Sequence, residues 1–199
     1  MLDIKRVTFL GYADAKEGDE LYNSVVEVAK LCAQKGLTVI NGGGPGVMKA
    51  STIGAKKAGG HAIGVTFYPK DIPVFEGRDE TNNVDELVVT DNYLARTLKL
   101  LEEGQIFIIF NGGTGTISEF GMAWGLARLY FGHHKPLILY GDFWQEIIFA
   151  FTKGMYIRPE ERQVFKIVNN PGDVIRAIEE FEKDFENANH DHPKSDFSV

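Results

Sequence analysis

The residues best suited to chemistry lie at 111–119, NGGTGTISE. The segment follows an apolar run, QIFIIF at 105–110, and leads into a helical pattern. Backbone N–H groups at such a strand-to-helix turn converge on one spot, where the helix N-terminus carries roughly half a positive charge. Gly112, Gly113 and Gly115 would let a phosphate approach the backbone closely, and Thr114 and Thr116 add hydroxyl donors. The segment is not a Walker A loop, because no Gly-Lys-Ser/Thr follows. It is not the dinucleotide fingerprint either, because Gly113-x-Gly115-x-x-Ser118 lacks the third glycine. An ordinary glycine-rich tight turn would use the same residue types. Glu119 reads as a first-turn residue of the helix that follows, its side chain leaning back toward the loop. A surface glutamate favoured by the helix dipole is the plain alternative. Against it, Ile117, Phe120, Met122, Ala123, Trp124 and Leu126 make the helix apolar nearly all round. A glutamate in those surroundings is either paired or functional.

A second strand-to-helix glycine loop occupies 41–48, NGGGPGVM, with Gly43 and Gly44 as candidate ligand contacts. It could equally be an ordinary turn. Arg96, on the helix after the fourth strand, could hold a phosphate or orient a carboxylate, although a lone helical arginine is usually solvated. His133 and His134 at a helix end read as dipole complements rather than metal ligands. No Ser/His/Asp arrangement and no pyridoxal lysine can be nominated, so the reading includes neither metal nor cofactor.

Positioning these groups requires alternating strands and helices. Strands are predicted at 6–10, 37–40, 62–65, 87–89, 105–110, 136–140 and 164–168. Helices are predicted at 19–35, 47–58, 91–103, 117–130, 143–153 and 171–185, with Asp142 as N-cap of the fifth. Residues 66–83 read as a long loop, and the polar segment 187–199 as a disordered tail after a single domain at 1–186. The strands are apolar without period-two alternation, which implies a mostly parallel sheet covered on both faces. A closed barrel of eight units would need about 250 residues, more than the 199 present. The fold class expected is therefore a Rossmann-like doubly wound α/β sheet of about seven strands. Ligands of such sheets bind beyond the strand C-termini, where both glycine loops fall.

Composition narrows the function classes. The net charge of −7 argues against a nucleic-acid or anionic-membrane binder, which needs a basic footprint. It leaves room for a small anionic ligand held by a few N–H groups. Cys32 is the only cysteine, so neither an intrachain disulfide framework nor a cysteine-rich metal site is available. No apolar run approaches the ~18 residues of a spanning helix, and the N-terminus enters a strand pattern without a leader. The expectation is a cytoplasmic globular domain.

The chain resembles the LONELY GUY family of nucleotide-binding proteins. That family's PGGxGTxxE hallmark is matched by NGGTGTISE, its GGG…GLM element by Gly42-Gly43-Gly44 and Gly46-Val47-Met48, and its AGGxxIGV passage by residues 58–65. The similarity runs from about residue 7 to residue 148. The chain departs from the family pattern at Tyr93-Leu94 for Met-His, Thr97 for Lys, Asn111 for Pro and Ser118 for Glu, and its opening loop, Gly11-Tyr12-Ala13-Asp14, lacks the usual Gly-Ser. The resemblance implies hydrolysis of the N-glycosidic bond of a purine nucleoside 5′-monophosphate. Arg96 and Glu119 would be catalytic, and Gly43, Gly44 and the 112–116 loop would bind the nucleotide. It also implies a homodimer with a small-molecule purine nucleotide as partner. A non-catalytic carrier of a nucleotide or a pterin cofactor, reusing the same phosphate loop, is the other reading.

Overall fold

The computed structural model describes residues 4–69, 78–132 and 134–187. His133, residues 70–77 of the expected loop and residues 188–199 of the expected tail lie outside the described residues. Seven strands form one sheet: β1 (Arg6–Leu10), β2 (Thr38–Asn41), β3 (Ala62–Phe67), β4 (Glu86–Thr90), β5 (Ile106–Ile109), β6 (Leu137–Tyr140) and β7 (Phe165–Val168). Between and after them run α1 (Glu20–Gln34), α2 (Val47–Lys57), α3 (Tyr93–Glu103), α4 (Thr114–Leu129), α5 (Phe143–Gly154) and α6 (Pro171–Asn187). Every strand pair is parallel, in the order β4-β3-β2-β1-β5-β6-β7. This is the doubly wound α/β architecture that the unbroken apolar strands predicted.

Each central strand feeds two cores, because successive side chains point to opposite faces. Val7, Phe9, Ile106, Ile108 and Phe110 pack with α1, α2 and α6 on one face. Leu10, Phe107 and Ile109 pack with α3, α4 and α5 on the other. Seven of these eight side chains are at most 2% exposed, and Leu10 is 3% exposed. Complete burial of an Ile, Leu or Phe is worth roughly 1.5–3 kcal/mol, so the two cores hold the sheet together from both sides.

The structure shifts some element boundaries. β3 continues through Thr66 and Phe67, which pair with Val89 and Thr90 of β4, so two residues expected in the loop belong to the sheet. Asp142 does occupy the position before α5, but its side chain makes no cap bond. It accepts instead from the Asn169 amide at 3.2 Å. The side-chain cap of α3 is Asn92, whose Oδ1 accepts from the Ala95 N–H at 2.9 Å. That bond stops the helix from including Asp91 and Asn92. The largest shift concerns α4, which begins at Thr114 rather than Ile117.

Candidate active site

The chain order reverses between β1 and β5: α1 and α2 lead away from β1 on one side of the sheet, and α4 follows β5 on the other. Such a switch point leaves a crevice beyond the strand C-termini. A cleft of about 320 Å³ opens there. One wall is the turn after β1, with Tyr12, Ala13 and Asp14, and the other is Gly113, Thr114, Gly115 and Thr116 at the start of α4. Tyr93 and Arg96 of α3 reach it from the side, together with Gly42, Met48 and Glu119.

The turn after β1 and the start of α2 are locked together. The N–H of Val47 donates to the Tyr12 carbonyl at 3.0 Å, and the Tyr12 N–H donates to the Asn111 carbonyl at 2.9 Å. Gly46 makes this approach possible. Its φ of +63° is a left-handed conformation, and a Cβ there would collide with the carbonyl oxygens of Tyr12 and Ala13. The N-terminus of α2 is thus partly satisfied by protein. The N-terminus of α4 is different. Gly113 is its N-cap, no side chain caps it, and Gly113, Thr114 and Gly115 are exposed. The first-turn N–H groups of α4 lack intrahelical partners, and the residues that carry them line the cleft.

Helical spacing explains the burial of Glu119. Thr116, Glu119, Phe120, Ala123 and Ala127 stand at i, i+3, i+4, i+7 and i+11, and all five are buried on the core-facing side of α4. Because α4 starts at Thr114, Glu119 is its sixth residue, a turn deeper than a first-turn reading gives. Attraction to the helix dipole fades within the first turn. Glu119 is 8% exposed, and its Oε1 lies 3.5 Å from Nη1 of Arg96, which is 5% exposed. Burial pushes the Glu119 carboxyl up to about 7, outweighing the downward pull of the Arg96 charge. Burial likewise lowers the Arg96 guanidinium, against the opposing influence of Glu119 and Tyr93.

Arg96 is held from several sides. Its Nε donates to the Val65 carbonyl at 3.0 Å, and its Nη2 donates to the Gly42 carbonyl at 3.1 Å and approaches Met48 Sδ at 3.6 Å. The guanidinium thus ties β3 to the glycine loop after β2 while facing Glu119. It is a buried anchor for the carboxylate, where a lone helical arginine would be solvated.

The site residues expected from the sequence divide into two groups. Gly113, Thr114, Gly115, Thr116, Arg96 and Glu119 come together around the cleft. Gly112 lies beside them under Thr116, where a Cβ would overlap the threonine hydroxyl, but it does not line the cleft. Gly43 and Gly44 are buried behind the wall. The Gly43 N–H donates to Asn41 Oδ1 at 2.9 Å, and the Gly44 N–H donates to Met48 Sδ at 3.4 Å. Their carbonyls accept from the Asp79 N–H and the Asn82 amide. The glycine of this loop that reaches the cleft is Gly42. A Cβ on Gly42 would strike Arg96 and Met48. Tyr12, Asp14, Met48 and Tyr93 also line the cleft and were not singled out as site residues from the sequence. Position at a strand C-terminus was the available signal for the first two. His134, expected as a helix-end charge, is buried and packed on the rings of Phe131 and Phe185.

Comparison with known proteins identifies the family and the fold. The model of the SLOG cluster4 family matches residues 5–162. The chain belongs to the SLOG cluster4 family. Family membership bears out the LONELY GUY resemblance carried by NGGTGTISE. A relative from Mycobacterium tuberculosis named cytokinin riboside 5′-monophosphate phosphoribohydrolase is 32% identical over 79% of this chain and 85% of its own. A relative of the same name from Mycobacterium marinum is 32% identical over 66% of this chain and 68% of its own. Among solved structures, the molybdenum cofactor binding protein of Rippkaea orientalis aligns with a TM-score of 0.68 at 23% identity, covering 92% of this chain and 99% of that one. At that identity the match concerns the fold alone. In this SLOG cluster4 chain, no helix among the described residues is long and apolar enough to cross a membrane.

Proposed function

We propose that the protein hydrolyses the N-glycosidic bond of a purine nucleoside 5′-monophosphate, giving the free base and ribose 5-phosphate. The observation that carries the reading is Glu119. It is a buried carboxyl at the inner end of the cleft, on the same helix whose uncapped N-terminus forms the outer wall. Thr114 and Glu119 are five residues apart, about 7–8 Å along the helix axis. That separation suits a 5′-phosphate at the helix N-terminus with the anomeric carbon beside the carboxylate. The N–H groups of the first turn and the hydroxyls of Thr114 and Thr116 bind the phosphate. As the bond from C1′ to the purine nitrogen breaks, its electron pair leaves with the base, which takes up a proton from solvent water. The sugar becomes cation-like, and the ionised Glu119 stabilises it. Water then adds to C1′, and Glu119 accepts the proton that this water loses. A carboxyl near 7 is suited to accept a proton at neutral pH and release it again. Arg96 fixes the direction of the carboxylate and makes this a two-residue catalytic unit.

The family and the relatives' names support this reaction class, and the cleft supports a small nucleotide as substrate. We extend the proposal to a cytoplasmic homodimer. Ile117 and Leu129 of α4 and Leu94 and Leu98 of α3 are exposed apolar residues that a second copy would cover; light scattering on the purified protein measures the assembly. Chromatographic detection of free base from AMP, GMP and N6-substituted AMP tests the reaction, with Glu119→Gln as the control. Base release that depends on Glu119 supports the proposal. Tight binding of these nucleotides without base release overturns it in favour of the carrier reading.

A further inference from the structure

The cleft has few cations for an anionic ligand. Among the described residues that line it only Arg96 is cationic, and that guanidinium is buried, bound to two carbonyls and turned toward Glu119. The position after Arg96 is Thr97, which is completely buried. Among the described residues, the donors that face a phosphate at the α4 N-terminus are therefore largely neutral.

One such donor stands in the cleft outside the glycine loop. Tyr93 is the first residue of α3, and the Asn92 cap fixes the start of that helix. Its ring packs edge-on against Phe67, with centroids 6.3 Å apart and the planes at 74°. Its hydroxyl lies 3.5 Å from where a Cβ on Gly115 would sit, above the first turn of α4. That is ordinary van der Waals distance, so the phenol stands close over the first turn of α4. Tyr93 and Arg96, three residues apart on α3, line the same cleft as the first turn of α4. Tyr93 is 37% exposed, open to a ligand yet braced by Phe67.

We propose that Tyr93 is a substrate-positioning residue whose hydroxyl donates to the anionic group bound at the α4 N-terminus, while its ring walls the sugar side of the cleft. The inference rests on the reading above that this N-terminus takes the 5′-phosphate. It goes further by assigning a specificity-determining phenol on α3 that the glycine motif does not contain. A neutral donor there selects for the phosphorylated ligand by distance and direction, with little long-range attraction. The preference it confers therefore survives added salt better than one based on surface lysines.

The test is calorimetric titration with AMP and with adenosine, at low and at high salt, of the full-length protein with its wild-type Tyr93 and of Tyr93→Phe, both carrying Glu119→Gln so that AMP is not consumed. Phenylalanine keeps the ring and its contact with Phe67 and removes only the hydroxyl. The expected result is about a tenfold weaker affinity for AMP in Tyr93→Phe, the loss of one hydrogen bond to a charged group. Adenosine affinity and melting temperature should remain unchanged, and the wild-type preference for AMP should persist at high salt. A merely structural role would move adenosine affinity and melting temperature as well. Wild-type preference for AMP retained in full by Tyr93→Phe overturns the assignment to Tyr93 and leaves the phosphate site standing. A wild type that binds AMP and adenosine equally overturns both.

Discussion

Replacing Glu119 by glutamine should make the protein more stable above neutral pH while sharply reducing the proposed base release. In the folded chain, burial raises the carboxyl from 4.5 to about 7. Between those two values the folded state binds the proton and the unfolded state releases it, so stability falls as pH rises from about 4.5 to about 7 and is level above. The shift corresponds to about 3 kcal/mol at full ionisation. Glutamine has no proton to lose, and its stability should not follow that fall. The two proteins should therefore melt together near pH 4.5, and Glu119→Gln should melt higher at pH 8.5. For a chain of this size, about 3 kcal/mol corresponds to roughly 6–12 °C. The opposing expectation is that Arg96, stripped of its counter-charge, becomes a costly buried cation. It is outweighed because the guanidinium keeps the carbonyls of Val65 and Gly42, and the glutamine oxygen still offers an acceptor toward Nη1. Base release from AMP should fall by ~100-fold or more with little change in AMP affinity, because the missing charge acts mainly in the transition state. Thermal melts across pH 4.5–8.5, paired with chromatographic detection of free base, measure both effects. A Glu119→Gln protein that melts lower than wild type at pH 8.5 would refute the claim that burial outweighs the ion pair. Full activity in that variant would refute the catalytic role.

Arg96→Lys keeps a positive charge but cannot bridge the carbonyls of Val65 and Gly42 while facing Glu119; kcat should fall at least tenfold, with loosened packing visible as a lower melting temperature. Gly42→Ala puts a methyl group where Arg96 and Met48 Sδ lie; it should mimic the Arg96 variant in a base-release assay, and unchanged turnover would show that Arg96 need not hold its place. At Gly113 a Cβ meets nothing within 4 Å. Gly113→Val should therefore fold with nearly wild-type far-UV circular dichroism and lose the difference in thermal shift between AMP and adenosine, by blocking approach to the helix N-terminus.

The sequence alone determined the layered fold and the place of the glycine loop in it. Apolar strand runs such as QIFIIF specify burial on two faces, and glycines after a strand specify a turn into a helix. Both are local properties, and they put Gly113, Thr114, Gly115 and Thr116 at a strand C-terminus before any packing is known. The spacing of Glu119, Phe120, Ala123 and Ala127 was also legible, although the start of α4 was placed three residues late. Threonine and glycine are weak helix formers, and only the chain's exit from β5 recruits Thr114, Gly115 and Thr116 into the first turn. What only tertiary structure decided is how groups distant in the chain meet. Arg96 reaches Glu119 because α3 and α4 lie on the same face of the sheet, and it is buried because β3 and the loop after β2 present the carbonyls of Val65 and Gly42 to it. Gly43 and Gly44 look identical to Gly42 in the sequence, yet only Gly42 faces the cleft, because the Asp79–Asn82 segment takes the carbonyls of the other two. Periodicity determines which face of an element is buried. Long-range contacts determine what that face meets, and the chemistry of this cleft depends on those contacts.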